Sequence, residues 1–207
     1  MMNKLFTIGY SNHSIETFIS ILKKYGINVI VDVRSTPFSS FKPEFNKDTL
    51  NIDLKKGGIK YLFLGNECGA RFDEPSCYRN GKADYKLIAQ HKKFQNGLKR
   101  INDGSENFTI ALMCAEKDPI NCHRMILICR NLKNFGLPIY HILDLDNIES
   151  QKEAESRLLR LFKLNQLDMF ESENDQLEKA YNMQGEKIAY KTEDYQTTNE
   201  QGNIIDG

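Results

Sequence analysis

The sequence predicts an α/β fold: a single, open, three-layer domain with a mostly parallel sheet of about five strands and helices on both faces. Two kinds of segment support this fold, and they alternate along the chain. Short apolar runs rich in β-branched residues predict strands, and longer stretches whose apolar residues repeat at helical spacing predict helices. This alternation is typical of parallel sheets, because two parallel strands need a helix-length connection between them.

The first half of the chain supplies three strands and two helices. A short apolar run at residues 5–8 is the first strand, and the helix after it has its apolar residues on one face behind a candidate cap at Ser14. Residues 29–33 form a β-branched run typical of a strand covered on both faces. A turn-rich segment, a short helix at about residues 47–56 and a strand at residues 59–64 follow.

The second half repeats the alternation. Apolar residues at helical spacing predict a helix over residues 87–101, and the next apolar run predicts a fourth strand that ends at Cys114. Pro119 suits the first position of the following helix with Asp118 as its N-cap, and Gly136 suits its end. The last two elements are a strand at residues 139–143 and a helix at about residues 149–164.

Residues 171–207 depart from this pattern, so we expect an extended acidic arm or a partly disordered tail after a domain at residues 1–170. The segment holds nine acidic and three basic side chains, a balance of −6, and the rest of the chain must carry +6 because the totals are 28 and 28. Tyr181, Ile188 and Tyr190 are its candidate anchors. Such an arm can lie over a basic surface, or it can be a solvated terminus.

Composition limits the class of protein. With 207 residues and 40% hydrophobic content, the chain can bury one good core and a small appendage. No apolar run approaches the roughly 20 residues of a membrane span, and the start of the chain does not resemble a signal peptide. Five cysteines at irregular spacing argue against a secreted disulfide framework. We therefore expect a cytoplasmic protein that does not associate with membranes.

Polar clusters follow each of the first four predicted strands, at residues 9–13, 32–37, 65–71 and 114–116. In open α/β sheets, ligands bind outside the carboxyl ends of the strands. All four clusters should therefore meet at one edge of the sheet and form the functional cleft there.

Cys114 is the candidate nucleophile at this edge. It ends an apolar strand and should face the start of the next helix, with His123 and Arg124 nearby. A helix N-terminus and a cationic side chain both favour the thiolate, which is the reactive form of cysteine. Glu116 and Asp118 oppose this effect, and we expect the cations to prevail, so that the pKa of Cys114 is lower than that of Cys129.

These residues favour a cysteine-dependent enzyme that acts on a phosphate-bearing or nucleotide-like anionic substrate, because arginines and helix N-termini bind phosphate well. No cofactor and no metal are assigned, and the oligomeric state stays open. Proton transfer falls to His13 or His123. The residues assigned to catalysis are Cys114, Glu116, His123 and Asp32, and those assigned to substrate or anion binding are His13, Arg34, Ser35, Arg71 and Arg124.

Two other classes of function remain open. One is a nucleic-acid-binding or nucleic-acid-processing protein, whose candidate stacking residues are Tyr10, Phe38, Phe41 and Tyr78. The other is a metal-binding protein or thiol redox sensor that uses Cys114, Cys122 and His123, although the short Cys-x-x-Cys spacing of strong zinc motifs is missing.

Purely structural roles are also open. Cys114 can be a small buried hydrophobe, and Asp32 with Arg34 can be an ion pair that fixes a loop. His91 and His141 are expected to be packed and hydrogen-bonded, and Cys129 should lie in the core.

The polar motifs together resemble one known family. Residues 9–13 (Gly-Tyr-Ser-Asn-His), 31–39, 114–119 and 122–124 (Cys-His-Arg) are similar to the domain of unknown function 488 family, and residues 184–190 are similar to its C-terminus. The resemblance implies a cytoplasmic microbial protein, and it supplies no established activity. A more distant likeness is to rhodanese-type sulfurtransferases, in which an Asp-x-Arg strand end precedes a cysteine at a later strand end. The loop after Cys114 departs from that pattern, since it is longer and acidic.

Overall fold

A computed structural model describes residues 4–164 and 172–192, and within these residues six strands form the main sheet in the order β3-β2-β6-β1-β7-β8. The strands are β1 (Leu5–Gly9), β2 (Val29–Asp32), β3 (Lys60–Phe63), β4 (Tyr78–Arg79), β5 (Lys82–Ala83), β6 (Ile110–Cys114), β7 (Ile139–Ile142) and β8 (Ile148–Ser150). The helices are α1 (Ile15–Lys24), α2 (Lys47–Lys56), α3 (Gly65–Cys68), α4 (Tyr85–Gln90), α5 (Lys92–Ser105), α6 (Arg130–Leu132), α7 (Gln151–Leu161) and α8 (Glu173–Ile188). A π-helical segment, Arg124–Cys129, leads into α6.

The mostly parallel α/β sheet is confirmed. Strands β1, β2, β3, β6 and β7 are the five that the sequence predicts, and all the pairings among these five are parallel. Two features were not predicted: β8 adds an antiparallel edge strand beside β7, and β4 with β5 forms a separate hairpin. Both consist of strands of only two or three residues, too short for an alternating pattern to be visible.

The sheet lies between two helical layers. Phe18 of α1 and Leu50 of α2 are fully buried against one face of the sheet, together with Ile8 and Ile30. The other face carries α4, α5, the π-helical segment, α7 and α8, whose buried side chains pack on Leu112 and its neighbours. Among the described residues, no helix is both long enough and apolar enough to cross a membrane.

Two predicted helices differ from the structure. The helix expected over residues 87–101 is divided at His91, whose backbone is extended and whose ring accepts a hydrogen bond from the Lys93 amide, so that α5 begins there with its own cap. The helix expected from Pro119 is wrong at its start. Pro119–Asn121 is a single 3₁₀ turn, and the helical path resumes only at the π-helical segment.

The extended arm is wrong for the described part of the C-terminal segment. Ser172 and Asp175 form a capping box at the start of α8, and the helix buries Ala180, Tyr181 and Gln184 against the domain. Because this buried face is made of small and polar residues, it lacks the apolar stripe that predicts an amphipathic helix. The predicted boundary at residue 170 and the chain after residue 192 lie outside the described residues.

The end of the described chain also contacts the domain. The backbone amide of Ala83 in β5 donates to the carbonyl of Tyr190, and the Tyr190 ring lies 4.8 Å from the guanidinium carbon of Arg71. Two of the three predicted anchors, Tyr181 and Tyr190, thus make specific contacts, and Ile188 packs against the core in a partly buried position.

Candidate functional site

The carboxyl ends of β1, β2 and β6 lie side by side, as the sequence predicts. Gly9 pairs with Cys114, and the loop that follows Cys114 passes directly over the end of β1. A Cβ atom at Gly9 would lie 1.9 Å from the carbonyl oxygen of Glu116, so only glycine permits this approach. The loop is thereby held close to the sheet edge.

Cys122, and not Cys114 as predicted, is the cysteine whose sulfur lies at the start of the next helical segment. Its extended backbone separates the 3₁₀ turn from the π-helical segment, and its carbonyl accepts the amides of Met125 and Ile126. The amide of Arg124 points at the Cys122 sulfur from 3.5 Å. The sulfur therefore acts as the helix N-cap, a position that stabilises negative charge.

Cys114, Cys122, His123 and Glu116 form one cluster. The Nδ1 atom of His123 lies 3.8 Å from the Sγ atom of each cysteine, and the Cys122 thiol lies 2.9 Å from Oε2 of Glu116. The cysteines and the histidine are buried, whereas Glu116 is exposed and turns its carboxylate inward. The predicted catalytic residues Cys114, Glu116 and His123 are thus brought together, with Cys122 added.

The electrostatics of the cluster favour ionisation of Cys122. Burial raises the pKa of Cys122, but the hydrogen bond with Cys114 and the charges of Arg124 and His123 outweigh it, so that the pKa is well below its usual range. The hydrogen bond to Cys122, followed by burial, raises the pKa of Cys114. The lowered pKa expected for Cys114 therefore belongs to its neighbour. Partial desolvation, and then the charge of Cys122, raises the pKa of Glu116.

Arg124 fixes the loop above the cluster. The side chain is fully buried, and its guanidinium donates to the carbonyl oxygens of Glu116 at 2.6 Å and Lys117 at 3.0 Å. Its Nε atom donates to the hydroxyl of Thr7 at 3.3 Å. With three donors used in this way, Arg124 positions the loop and supplies positive charge, and the predicted role in substrate binding stays a proposal.

A buried chain of hydrogen bonds connects Thr7 to α8. The Gln151 amide nitrogen donates to Glu155, so the Gln151 oxygen must accept from Nε2 of His141 at 2.9 Å. His141 is then a neutral ring whose Nδ1 atom accepts from the Thr7 hydroxyl at 2.8 Å. Tyr181 of α8 completes the chain, since its hydroxyl accepts from Gln151 and donates to Glu155. His141 is packed and hydrogen-bonded, as expected.

We expect His141 to make the protein less stable in acid. Burial, with Arg124 and Arg157, lowers the pKa of His141 from 6.5 to about 3. Between these values the unfolded chain binds a proton that the folded protein excludes, so stability is full above about pH 6.5 and falls as the pH decreases. At pH 4.5 the loss is about 2–3 kcal/mol.

Urea unfolding at pH 7 and pH 4.5 measures this effect. His141→Gln should be less stable than the wild type at pH 7, because it disturbs buried hydrogen bonds, but it should lose less stability on acidification. Equal losses in the two proteins would show that His141 does not contribute.

Asp32 and Arg34 form a buried ion pair. The Nε and Nη2 atoms of Arg34 donate hydrogen bonds to the Asp32 carboxylate, and the hydroxyl of Tyr61 donates to the same carboxylate at 2.7 Å. Arg34 also donates to the carbonyl of Phe45. Asp32 therefore stabilises the strand end, which is the structural role left open for it by the sequence. The Nη1 atom of Arg34 has no hydrogen-bond partner among the described residues.

The remaining predicted binding residues lie along the same edge. His13 is buried, and its Nε2 atom has no hydrogen-bond partner within the described part of the chain. Burial lowers the pKa of His13, Asp144 opposes this, and Lys117 and Lys42 lower it further. Ser35 accepts the amide of Arg71, whose guanidinium lies over Tyr190.

Sequence reasoning missed the support that other helices give to the site. Gln184 of α8 donates to the carbonyl of Ile120 at 2.7 Å and to the side chain of Asn121, in the turn just before Cys122. The Tyr85 hydroxyl is buried without a hydrogen-bond partner among the described residues, and burial and the charges of Cys122, Cys114 and Glu116 raise its pKa. Both are single polar residues in helices; the resemblance at residues 184–190 includes Gln184 but does not indicate its contact with the site, and no local pattern marks Tyr85.

The proposed stacking residues divide into two groups. Phe38 and Phe41 are exposed, by 68% and 94%, on the loop between β2 and α2. Tyr10 is buried in a stack on Phe45, and the Tyr78 hydroxyl donates to the carbonyl of Phe72. Only the two phenylalanines in this set are free to stack on a nucleobase without rearrangement.

Comparison with known proteins gives a family and no activity. The model of the family described as "Domain of unknown function DUF488" matches residues 14–130, more than half of the chain. No curated protein and no solved structure matches the chain, and the distant likeness to rhodanese-type domains is not shown. The matched segment includes the carboxyl ends of β2, β3 and β6 and the complete cysteine cluster, whereas β1 and His13 precede it. The chain belongs to the DUF488 family.

Proposed function

We propose that the protein is a cysteine-dependent enzyme that acts on a small phosphate-bearing or nucleotide-like anion at the carboxyl edge of the sheet. The observation that carries the proposal is the contact between Cys122 and Glu116, in which a thiol donates to a carboxylate 2.9 Å away while a helix amide points at the same sulfur. A nucleophile beside its general base is the basic arrangement of covalent catalysis.

In the proposed reaction, the thiol proton first passes to Glu116, whose pKa is raised, and the sulfur of Cys122, whose pKa is lowered, then attacks an electrophilic centre of the substrate as the thiolate. A bond from sulfur to substrate forms, and the bond to the leaving group breaks with its electron pair. Glu116 then gives the proton to the leaving group, and water cleaves the thio-linked intermediate and restores the thiol. Cys114 and His123 hold the sulfur in place.

Cationic and unpartnered groups near the cluster favour an anionic substrate. Val33, whose carbonyl lies 3.0 Å from Nε2 of His123, directly precedes Arg34, so the free guanidinium nitrogen of Arg34 belongs to the same strand end as the cluster. The Nζ atom of Lys42 donates to the backbone carbonyl of His13 at 2.8 Å, and Lys117 is exposed on the loop that follows Cys114. Phosphate oxygens suit such a set of donors.

We expect inorganic phosphate to protect Cys122 from alkylation. The measurement is the rate of Cys122 modification by iodoacetamide, followed by peptide mass mapping at constant ionic strength. Phosphate at about ten times its Kd should slow the rate about tenfold, because a thiol in the occupied site does not react. Lys117→Gln should raise the phosphate concentration needed by about tenfold, equivalent to about 1.4 kcal/mol.

The control is Lys56→Gln, at the end of α2 toward the opposite edge of the sheet, where the lysine pairs with Asp53 at the surface. This variant should keep the wild-type response to phosphate. Equal protection by chloride and by phosphate would contradict an anion site with preference for phosphate.

A further inference from the structure

Cys114, Cys122 and His123 place three metal-ligating atoms around one point. Their two sulfur atoms and one ring nitrogen all lie within 4.8 Å of one another, and all three residues are buried. We propose that this cluster binds a zinc ion, with the fourth coordination position left for water or another ligand. The proposal goes beyond the proposed function and does not depend on it.

The distances already suit tetrahedral coordination. Bond lengths of about 2.3 Å to sulfur and about 2.0 Å to nitrogen, at tetrahedral angles, place each sulfur about 3.6 Å from the nitrogen. The observed separation from Nδ1 of His123 is 3.8 Å for both Cys114 and Cys122. The sulfur–nitrogen pairs therefore need shifts of only a few tenths of an ångström, and the two sulfurs, which tetrahedral zinc places about 3.8 Å apart, already lie within 4.8 Å of each other.

The ring of His123 is oriented as a ligand. Its Nε2 atom lies 3.0 Å from the carbonyl oxygen of Val33, which can only accept, so Nε2 carries a proton and Nδ1 is the atom that faces the two sulfurs. Metal-bound histidines commonly donate their second ring nitrogen to a backbone carbonyl in this way, because the bond fixes the ring.

The charges also suit a divalent ion. Two thiolates balance the charge of zinc, and the guanidinium of Arg124, which donates to the backbone carbonyl of Glu116, adds a positive charge on the same loop as the Glu116 carboxylate beside Cys122. Thiolate and imidazole ligands select zinc and similar ions, whereas magnesium and calcium require oxygen ligands.

Zinc binding and thiol chemistry are then alternative states of one cluster. A sulfur bound to zinc cannot attack a substrate or an alkylating reagent, so the metal blocks Cys122. Three protein ligands with an open position are typical of exchangeable or catalytic zinc sites, and structural sites use four.

The test is titration of the full-length, chelator-treated protein with Co²⁺ and with Zn²⁺. Co²⁺ should give thiolate charge-transfer absorption and tetrahedral d–d bands at one ion per chain, and Zn²⁺ should remove both. Zn²⁺ should also stop alkylation of Cys122. Cys114→Ser, Cys122→Ser and His123→Asn should each weaken binding at least about 100-fold, since each removes a ligand.

Cys129→Ser and His91→Gln are the matched controls, because Cys129 lies in the core and His91 at the start of α5. Both should bind Co²⁺ as the wild type does, and circular dichroism of the metal-free variants separates lost binding from lost folding. Absence of the charge-transfer band in the wild type, or its persistence in folded His123→Asn, overturns the zinc site. A reactive Cys122 in a protein that binds no metal leaves the proposed function intact.

Discussion

Replacing Arg124 with methionine should reduce the free energy of unfolding by about 3–5 kcal/mol. The methionine fills most of the volume but leaves the carbonyls of Glu116 and Lys117 and the hydroxyl of Thr7 without their donors. Each unsatisfied buried polar group costs about 1–3 kcal/mol. Chemical denaturation of the full-length protein measures the effect.

The control for this variant is Arg100→Met. Arg100 is about half exposed and pairs with Glu67 at the surface, so its loss should cost less than about 1 kcal/mol. Arg124→Lys should lie between the two, because one ammonium group cannot reach all three acceptors. Equal stability of Arg124→Met and Arg100→Met would mean that the loop does not depend on Arg124.

The central sheet could be predicted because its strands have a strong local signal. The β-branched run of β2 and the apolar run of β6 are each buried along their whole length, as continuous apolar runs require. The edge strand β8 has the sequence Ile-Glu-Ser, and its pairing with β7 depends on the turn at Asp144, which only the folded chain reveals.

Helix α8 shows a different limit. Its buried face contains Ala180, Gln184 and Gly185, and a Cβ at Gly185 would lie only 3.3 Å from the Tyr85 ring. Close packing through small residues, and hydrogen bonds from Gln184 and Tyr181, hold this helix. These contacts depend on the partner surface, so hydrophobic periodicity does not detect them.

At the site, the sequence predicts the residue types correctly, but Cys122 takes the role at the helix start that is predicted for Cys114, so the roles of the two cysteines are exchanged. The sequence places Cys114 at a strand end and Cys122 near a helix start, and both positions are correct. The exchange depends on the extended backbone of Cys122, which stops the 3₁₀ turn and brings its sulfur to the helix amides. A single residue of irregular backbone is not visible in a pattern of polar and apolar residues.

The second large effect expected is the reactivity of Cys122. Despite burial, the hydrogen bond with Cys114 and the charges of Arg124 and His123 lower the pKa of Cys122. By contrast, burial raises the pKa of Cys68 to about 12 and also raises the pKa of Cys129. Thiolate is the reactive form, so these thiols should react very differently. We expect Cys122 to be alkylated at least about 100-fold faster than Cys129 at neutral pH.

The most direct measurement is therefore the alkylation rate of each of the five cysteines in the native, metal-free protein, resolved by peptide mass mapping. Guanidinium-unfolded protein, in which all five should react at similar rates, is the reference. We expect Cys122 to react first, and we expect it to remain ahead of the other cysteines in Cys114→Ser. Modification of Cys122 no faster than that of Cys68 and Cys129 would contradict it.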